Sequence, residues 1–504
     1  MNNRSSIAGR ARAVAAALLT FILVACGGGS MPAPPSQPSN VGGTIPGAGL
    51  LTRIVGVGDS LTAGEQSNAL LGATIAPNPL GSGSLFPVVP DTQGNGYYAL
   101  LWSQANGGAN PLDPAISPLP LIAPPGVGSI LLPTPAGGFT SIVAPCTGPN
   151  LAALSAATAL GTRLNPKTTP LDVAVPGQTL HEALFQYQPT GDPCTTYPIA
   201  QLQGLNSIVG AENLNFYPVL ANFGPGTTQI AAAVRLRPTL ALVWLGSNDL
   251  VKFLFSNGAV AAPDAGTFQA DLTSVIAQLQ AAGAKVAVAN LFDVLAVPQF
   301  TPVAAIPQVL AARGVPTTLA PPIAGAIDAF LAGFGVGNGG FLTLTGAGKI
   351  VGVVQAAVPA IVGGAPPAAA IQAGFTQLQA SPNAFGAGDF VVDAIAAQAA
   401  QLNVAYNAAI AAAAKSRGAA LVDVHGLFGP IEANGGVYPL PSNPKCCSLQ
   451  LGGGLFSNDG LHPSNTGYAV LANLFIQTVD QAYGTTIPPV NVAAINATDL
   501  YSPH

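Results

Sequence analysis

The chain is poor in charge. Only 7% of its 504 residues are Asp, Glu, Lys or Arg, against about 25% in an ordinary globular domain. Its 15 basic side chains face 20 acidic ones, and they form no basic clusters. No nucleic-acid partner is therefore expected. Aromatic residues are also scarce at 6%, with Trp102 and Trp244 the only tryptophans. That gives little sign of a sugar-stacking platform. The five cysteines show no CxxC spacing and no neighbouring histidine, so no metal site is expected. Low charge does not here mean disorder, which needs low hydrophobicity as well; 49% of this chain is hydrophobic. Its 60 glycines and 47 prolines follow no triplet period, which excludes a collagen-like chain. The length allows roughly two to four domains and a large core.

What is present begins with a leader. Arg4, Arg10 and Arg12 precede an uncharged apolar run, Val14 to Ala25, too short for a comfortable bilayer crossing. The run ends in Leu23-Val24-Ala25-Cys26, which resembles the lipobox of bacterial lipoproteins. The resemblance implies a signal peptide over 1–25, cleavage before Cys26, and a lipid on its thiol. The expected location is the bacterial cell envelope, with the protein exported and held to a membrane through Cys26. Loss of the three leader arginines leaves 12 basic against 20 acidic side chains. Residues 26–50 are dominated by Gly, Pro and Ser and read as a flexible tether. No later segment is a convincing membrane span. The nearest, Ile350 to Ile371, is interrupted by Gln355, Pro359, Pro366 and Pro367. An exported chain can keep disulfides; Cys146, Cys194, Cys446 and Cys447 leave three pairings open, including Cys146–Cys194.

From residue 51 to 504 short apolar runs alternate with Ala-rich stretches. Strands are expected over 53–57, 171–175, 239–245, 285–290 and 419–424. Helices are expected near 97–104, from His181, over 267–282 and over 389–417, the last two ending at Gly283 and Gly418. Strands separated by helices imply a parallel sheet covered on both faces. Two long insertions break the rhythm, at about 68–170 and 295–388. The second holds only three charged residues, Arg313, Asp328 and Lys349. It reads as an extra packed subdomain, or else as an apolar cap over an active site.

The chemistry-bearing residues lie at strand ends, where open α/β sheets build their sites. Gly58-Asp59-Ser60-Leu61 follows the first expected strand, Pro176-Gly177-Gln178 the second, and Gly246-Ser247-Asn248-Asp249 the third. Asn458-Asp459-Gly460-Leu461-His462-Pro463 stands near the C-terminus. A serine hydroxyl becomes a useful nucleophile only when a base takes its proton. Imidazole suits that task near pH 7, and a carboxylate on its other nitrogen fixes the tautomer. Asp459 and His462, three residues apart, can supply both. Donors for an oxyanion are available from the Ser60 N–H, the Gly177 N–H and the Asn248 side chain. If unperturbed, His462 would titrate near its ordinary value of about 6.5. Asp59 and Asp249 read as loop-shaping residues.

These four blocks, in this order, resemble the GDSL family of SGNH hydrolases over roughly Leu51 to Tyr483. The resemblance implies a flavodoxin-like three-layer α/β/α sandwich and hydrolysis of carboxylic esters through an acyl-enzyme on Ser60. His462 and Asp459 complete the catalytic set, and Ser60, Gly177 and Asn248 the oxyanion hole. It implies no metal or organic cofactor, and a small-molecule or lipid ester as the partner. A thioesterase or carbohydrate deacetylase would use the same residues. A different class is also open: a non-catalytic lipoprotein binding a lipid or polymer on this fold. A rival set of Ser60, His425 and Asp423 rests on the fifth expected strand, where residues two apart share a face. Gly335-x-Gly337-x-x-Gly340 has a dinucleotide-binding spacing but follows no β run, so it carries no such expectation.

Overall fold

A computed structural model describes residues 49–76, 88–124, 126–128, 131–133, 139–141, 163–186, 219–224, 226–312, 314–316 and 318–503. The leader, Cys26, the lipobox, most of the tether, Cys146 and Cys194 lie outside the described residues.

The central sheet holds β1 (Ile54–Gly58), β2 (Leu240–Trp244), β3 (Lys285–Ala289) and β7 (Ala420–Val422), all parallel and ordered β1-β2-β3-β7. The segment 171–175 lies on the free side of β1. Val173 N–H donates to Gly56 O and Val175 N–H to Gly58 O, both at 3.0 Å. The spatial order by chain position is therefore 2-1-3-4-5, the flavodoxin-like order, whose switch point lies between the first and third runs. Every residue of β1 and β2 is buried. Both faces of the sheet are covered, which is why these runs are continuously apolar rather than alternating.

One covering layer contains α3 (Leu180–Phe185), α4 (Gln229–Arg235), α6 (Ala265–Ala281) and α11 (Asp393–Arg417). The other contains α2 (Tyr97–Ala105) and α13 (Asn465–Tyr483). Ala-rich sequences favour helix for lack of side-chain entropy loss, and the caps set their limits. Asp264 accepts from Gly266 and Thr267 N–H to start α6, and Gly418, at φ 63°, ends α11. Phe268 of α6 stacks on Tyr406 of α11 with centroids 4.1 Å apart. On the opposite face Tyr97 stacks on Phe475 of α13 at 4.3 Å and meets Trp244 of β2 edge-on. The region 68–170, expected as an insertion, thus supplies a helix of the main core.

Helix α11 starts at Asp393 rather than at 389 because Phe390–Val391 (β6) pairs as a strand. Its partner is β5 (Phe341–Thr343), which also pairs with β4 (Phe300–Pro302) in a small antiparallel sheet. Around this sheet fold α7 (Ile306–Ala312), α8 (Ala320–Ala332), α9 (Leu344–Val362) and α10 (Pro367–Gln379). They enclose a second hydrophobic core that includes Ile323, Ile327, Leu331, Val354, Ile371 and Phe375. Phe330 and Phe375 stack there at 3.9 Å. Helix α9 is long and apolar enough to cross a membrane, with mean hydropathy 1.5. One of its faces nevertheless packs in this second core. Region 295–388 is therefore a subdomain with its own interior.

Candidate active site

The site is built at the carboxyl edge of the sheet, at the switch point. β1 delivers Asp59 and Ser60, and β2, its neighbour, delivers Gly246 to Asp249. Asp59 caps the short helix α1 (Ser60–Ala63) by accepting from Leu61 N–H at 3.0 Å. Asn248 lies in the first turn of α5 (Ser247–Phe255). Asp249 accepts from Leu180 N–H at 3.0 Å, tying α5 to the start of α3. Both acidic residues thus shape their loops, as expected.

The distant loop at 458–462 meets the serine. His462 Nε2 lies 2.8 Å from Ser60 Oγ, and His462 Nδ1 lies 2.7 Å from Asp459 Oδ2. Ser60, His462 and Asp459 are 8%, 4% and 7% exposed. The Asp459 carboxylate is almost saturated with donors. Its Oδ1 accepts from the N–H groups of Leu461 and His462, each at 2.8 Å, and from Ser457 Oγ at 3.2 Å. Its Oδ2 also accepts from Asn68 N–H at 2.6 Å. A carboxylate held by so many N–H groups is fixed in orientation, which fixes the imidazole in turn.

The oxyanion candidates converge less directly. Asn248 lines the same cleft as Ser60 and His462, and one of its amide hydrogens goes to Gln178 O at 3.2 Å. Gly177 precedes that carbonyl and has φ 80°, a left-handed conformation that disfavours any side chain. It comes two residues after Val175, whose N–H bonds the end of β1, so it shares the edge with Ser60. Gln229, fully buried, braces the group: its Nε2 donates to Gly58 O at 2.7 Å and to Gln178 Oε1 at 2.9 Å. Ser457, Asn68 and Gln229 carried no motif, and only their distant partners reveal them.

The electrostatics favour a charged imidazole. Burial alone would push His462 down, but the carboxylates of Asp459, Glu65 and Asp59 outweigh it and hold His462 up at about 9. His462 is thus not the unperturbed histidine of about 6.5, because three acids act on one buried ring. Burial works to raise Asp459, yet the facing His462 and the bonds from His462 and Leu461 hold it below the usual carboxylate range. Asp59 is pushed up to about 7, chiefly by burial.

The rival set is not assembled. Asp423 caps α12 (Val424–Ala433) and accepts from Asn290 Nδ2 and Gly426 N–H. Asp423 and His425 are both exposed. The Gly335–Gly340 segment also serves a local purpose: Gly337 and Gly339 N–H donate to the Asp393 carboxylate at the start of α11. His181 is exposed and pairs with Asp271 at 2.9 Å. Cys446 and Cys447 form a disulfide with each other.

Residues 54–475 match the family described as GDSL-like Lipase/Acylhydrolase. The chain belongs to this family. The match runs from the first residue of β1 into α13 and takes in all four motif blocks. GDSL membership carries the general activity with it, hydrolysis of esters. It agrees with the parallel α/β sandwich described above. No curated protein and no solved structure is significantly similar to the chain.

Proposed function

We propose that this GDSL protein is a serine esterase that acts through an acyl-enzyme on Ser60. The observation that carries the reading is the chain of contacts Asp459–His462–Ser60 at 2.7 and 2.8 Å, assembled from segments 402 residues apart. Ser60 Oγ attacks the ester carbonyl carbon while neutral His462 takes the hydroxyl proton at Nε2. The carbonyl oxygen becomes an oxyanion and receives hydrogen bonds from Ser60 N–H, Gly177 N–H and Asn248 Nδ2. His462 then returns its proton to the leaving alcohol oxygen as the C–O bond breaks. Water then attacks the acyl carbon as His462 takes its proton, and the second tetrahedral intermediate collapses by breaking the acyl C–Oγ bond while His462 returns that proton to Ser60 Oγ, releasing the free acid. Asp459 stays ionised throughout and stabilises the imidazolium.

A fluorophosphonate probe tests this directly. It should label the protein once, at Ser60, and the Ser60→Ala variant should neither react nor turn over a chromogenic ester while keeping its circular dichroism spectrum. Labelling that survives Ser60→Ala would remove the reading. A lipid- or polymer-binding protein has no need of the assembled Asp459–His462–Ser60 set, so the same probe separates the two classes.

The leader supports a second part of the proposal: an exported lipoprotein of the bacterial cell envelope, anchored through lipid on Cys26. Cys26→Ser should release the protein from membranes; continued partitioning with them would oppose the anchor.

A further inference from the structure

The cleft above Ser60 is small and its walls are apolar. Leu61, Val251, Phe292 and Leu461 supply the walls; Ser60, Ser247, Asn248 and His462 supply the polar atoms. The cleft encloses about 250 Å³ even with the open space above it included. None of the eight lining residues is Lys or Arg. A charged acyl group would have to shed its water against the apolar walls of Leu61, Val251, Phe292 and Leu461.

Burial separates the mouth from the depth. Leu461 is half-buried, whereas Leu61, Val251 and Phe292 are 3%, 2% and 4% exposed. Val251 stands one helical turn beyond Asn248 on α5, so both reach the same side. Phe292 comes just after β3, at the same sheet edge as Ser60. Its ring cannot easily withdraw. It stacks on Phe428 at 5.5 Å and meets Trp244 edge-on at 6.3 Å. The chain beyond it is locked too. Gln299 N–H donates to Gly460 O at 2.8 Å, and a Cβ on Gly460 would meet the Gln299 nitrogen at 2.8 Å. The 292–299 segment and the loop bearing His462 therefore hold each other in place.

From this geometry we infer that Phe292, with Val251 behind Asn248, limits the acyl group to a short, uncharged chain. This rests on the serine-esterase reading and adds its substrate class. A long acyl chain has to expel a ring fixed by two aromatic neighbours or leave its methylenes in water. One methylene that a hydrophobic pocket rejects is worth roughly 10–200-fold in kcat/KM.

The test measures kcat/KM for p-nitrophenyl esters from acetyl to dodecanoyl, on the full chain and on Phe292→Ala, Phe292→Leu and Val251→Ala. The wild type should prefer acetyl to butyryl and fall at least tenfold by octanoyl. Phe292→Ala should raise the octanoyl-to-acetyl ratio at least tenfold, with Phe292→Leu between. Phe292→Leu keeps the inference testable if the alanine variant does not fold. A wild type that prefers octanoyl or longer, or Phe292 variants that leave the ratio unchanged, would overturn it. No turnover of any ester, together with no Ser60-dependent probe labelling, would instead refute the underlying esterase reading.

Discussion

In the proposed serine-esterase mechanism His462 sets the pH at which the site works. Its ring must be neutral to accept the Ser60 proton, because the imidazolium has no lone pair to offer. With the ring held up from 6.5 to about 9 by the facing acids, about one ring in a hundred is neutral at pH 7. The expected kcat/KM at pH 7 is then about 100-fold below its alkaline plateau, rising about tenfold per pH unit between 7 and 9. The perturbation to make is Glu65→Gln. Glu65 is buried and its carboxylate favours the charged ring, yet its side chain makes no bond to the Asp459–His462 pair. The amide removes the charge and leaves the 2.7 Å Asp459 contact intact. The inflection should move down from about 9 toward 6.5, and turnover at pH 7 should rise relative to the plateau. The assay is a kcat/KM profile on a neutral short-chain ester from pH 5 to 10, where the substrate itself does not titrate. A wild-type profile already flat by pH 7 would refute the electrostatic argument. So would a Glu65→Gln inflection at the wild-type pH.

Two further outcomes follow from the surrounding bonds. Asn248→Ala removes an oxyanion donor and should lower kcat about 10²–10³-fold with little change in KM; a loss confined to KM would assign Asn248 to substrate binding instead. Asp249 is pushed up to about 7, mainly by burial. The folded carboxyl therefore stays neutral while the unfolded one ionises above about 3.8. Its contribution to stability falls as pH rises from about 4 to 7. Asp249→Asn keeps an acceptor for Leu180 N–H and should gain on the wild type between pH 5 and 8 in urea melts. Asp249→Ala strands that N–H and should cost about 1–3 kcal/mol. An asparagine variant that loses ground to the wild type as pH rises would contradict the burial argument.

Much of the architecture was legible because the sheet is buried on both faces. β1, β2 and β3 differ from the expected runs by about one residue at either end, since continuous apolar runs announce themselves. β7 is shorter than 419–424 because Asp423 leaves the strand to cap α12. The run 171–175 lies beside β1 but makes only part of a ladder. Helix α13 was missed although Ser464 caps it, Gly484 ends it, and Tyr468, Leu471, Ala472, Phe475 and Val479 repeat at helical spacing. Ser60, His462 and Asp459 were legible because each type does one chemical task at a known place on this fold. Gln229 and Phe292 were not, because a buried glutamine or phenylalanine looks the same in sequence whether it braces a site or fills a core. The charge on His462 was also out of reach, since Glu65 and Asp59 act on it across space.

The union of Ser60 with His462 has a consequence for how the protein is made. The nucleophile is synthesised early and its base 402 positions later. Asn68 N–H and Tyr501, which reaches Ser67 Oγ at 2.9 Å, close the same corner from both ends of the chain. A chain still emerging from the ribosome, or crossing a membrane unfolded, carries a serine with no base and no orienting carboxylate. On the serine-esterase reading proposed above, hydrolysis begins only when the segments around Ser60, Asp459 and Tyr501 have come together. In the proposed reading, folding itself therefore switches the serine on.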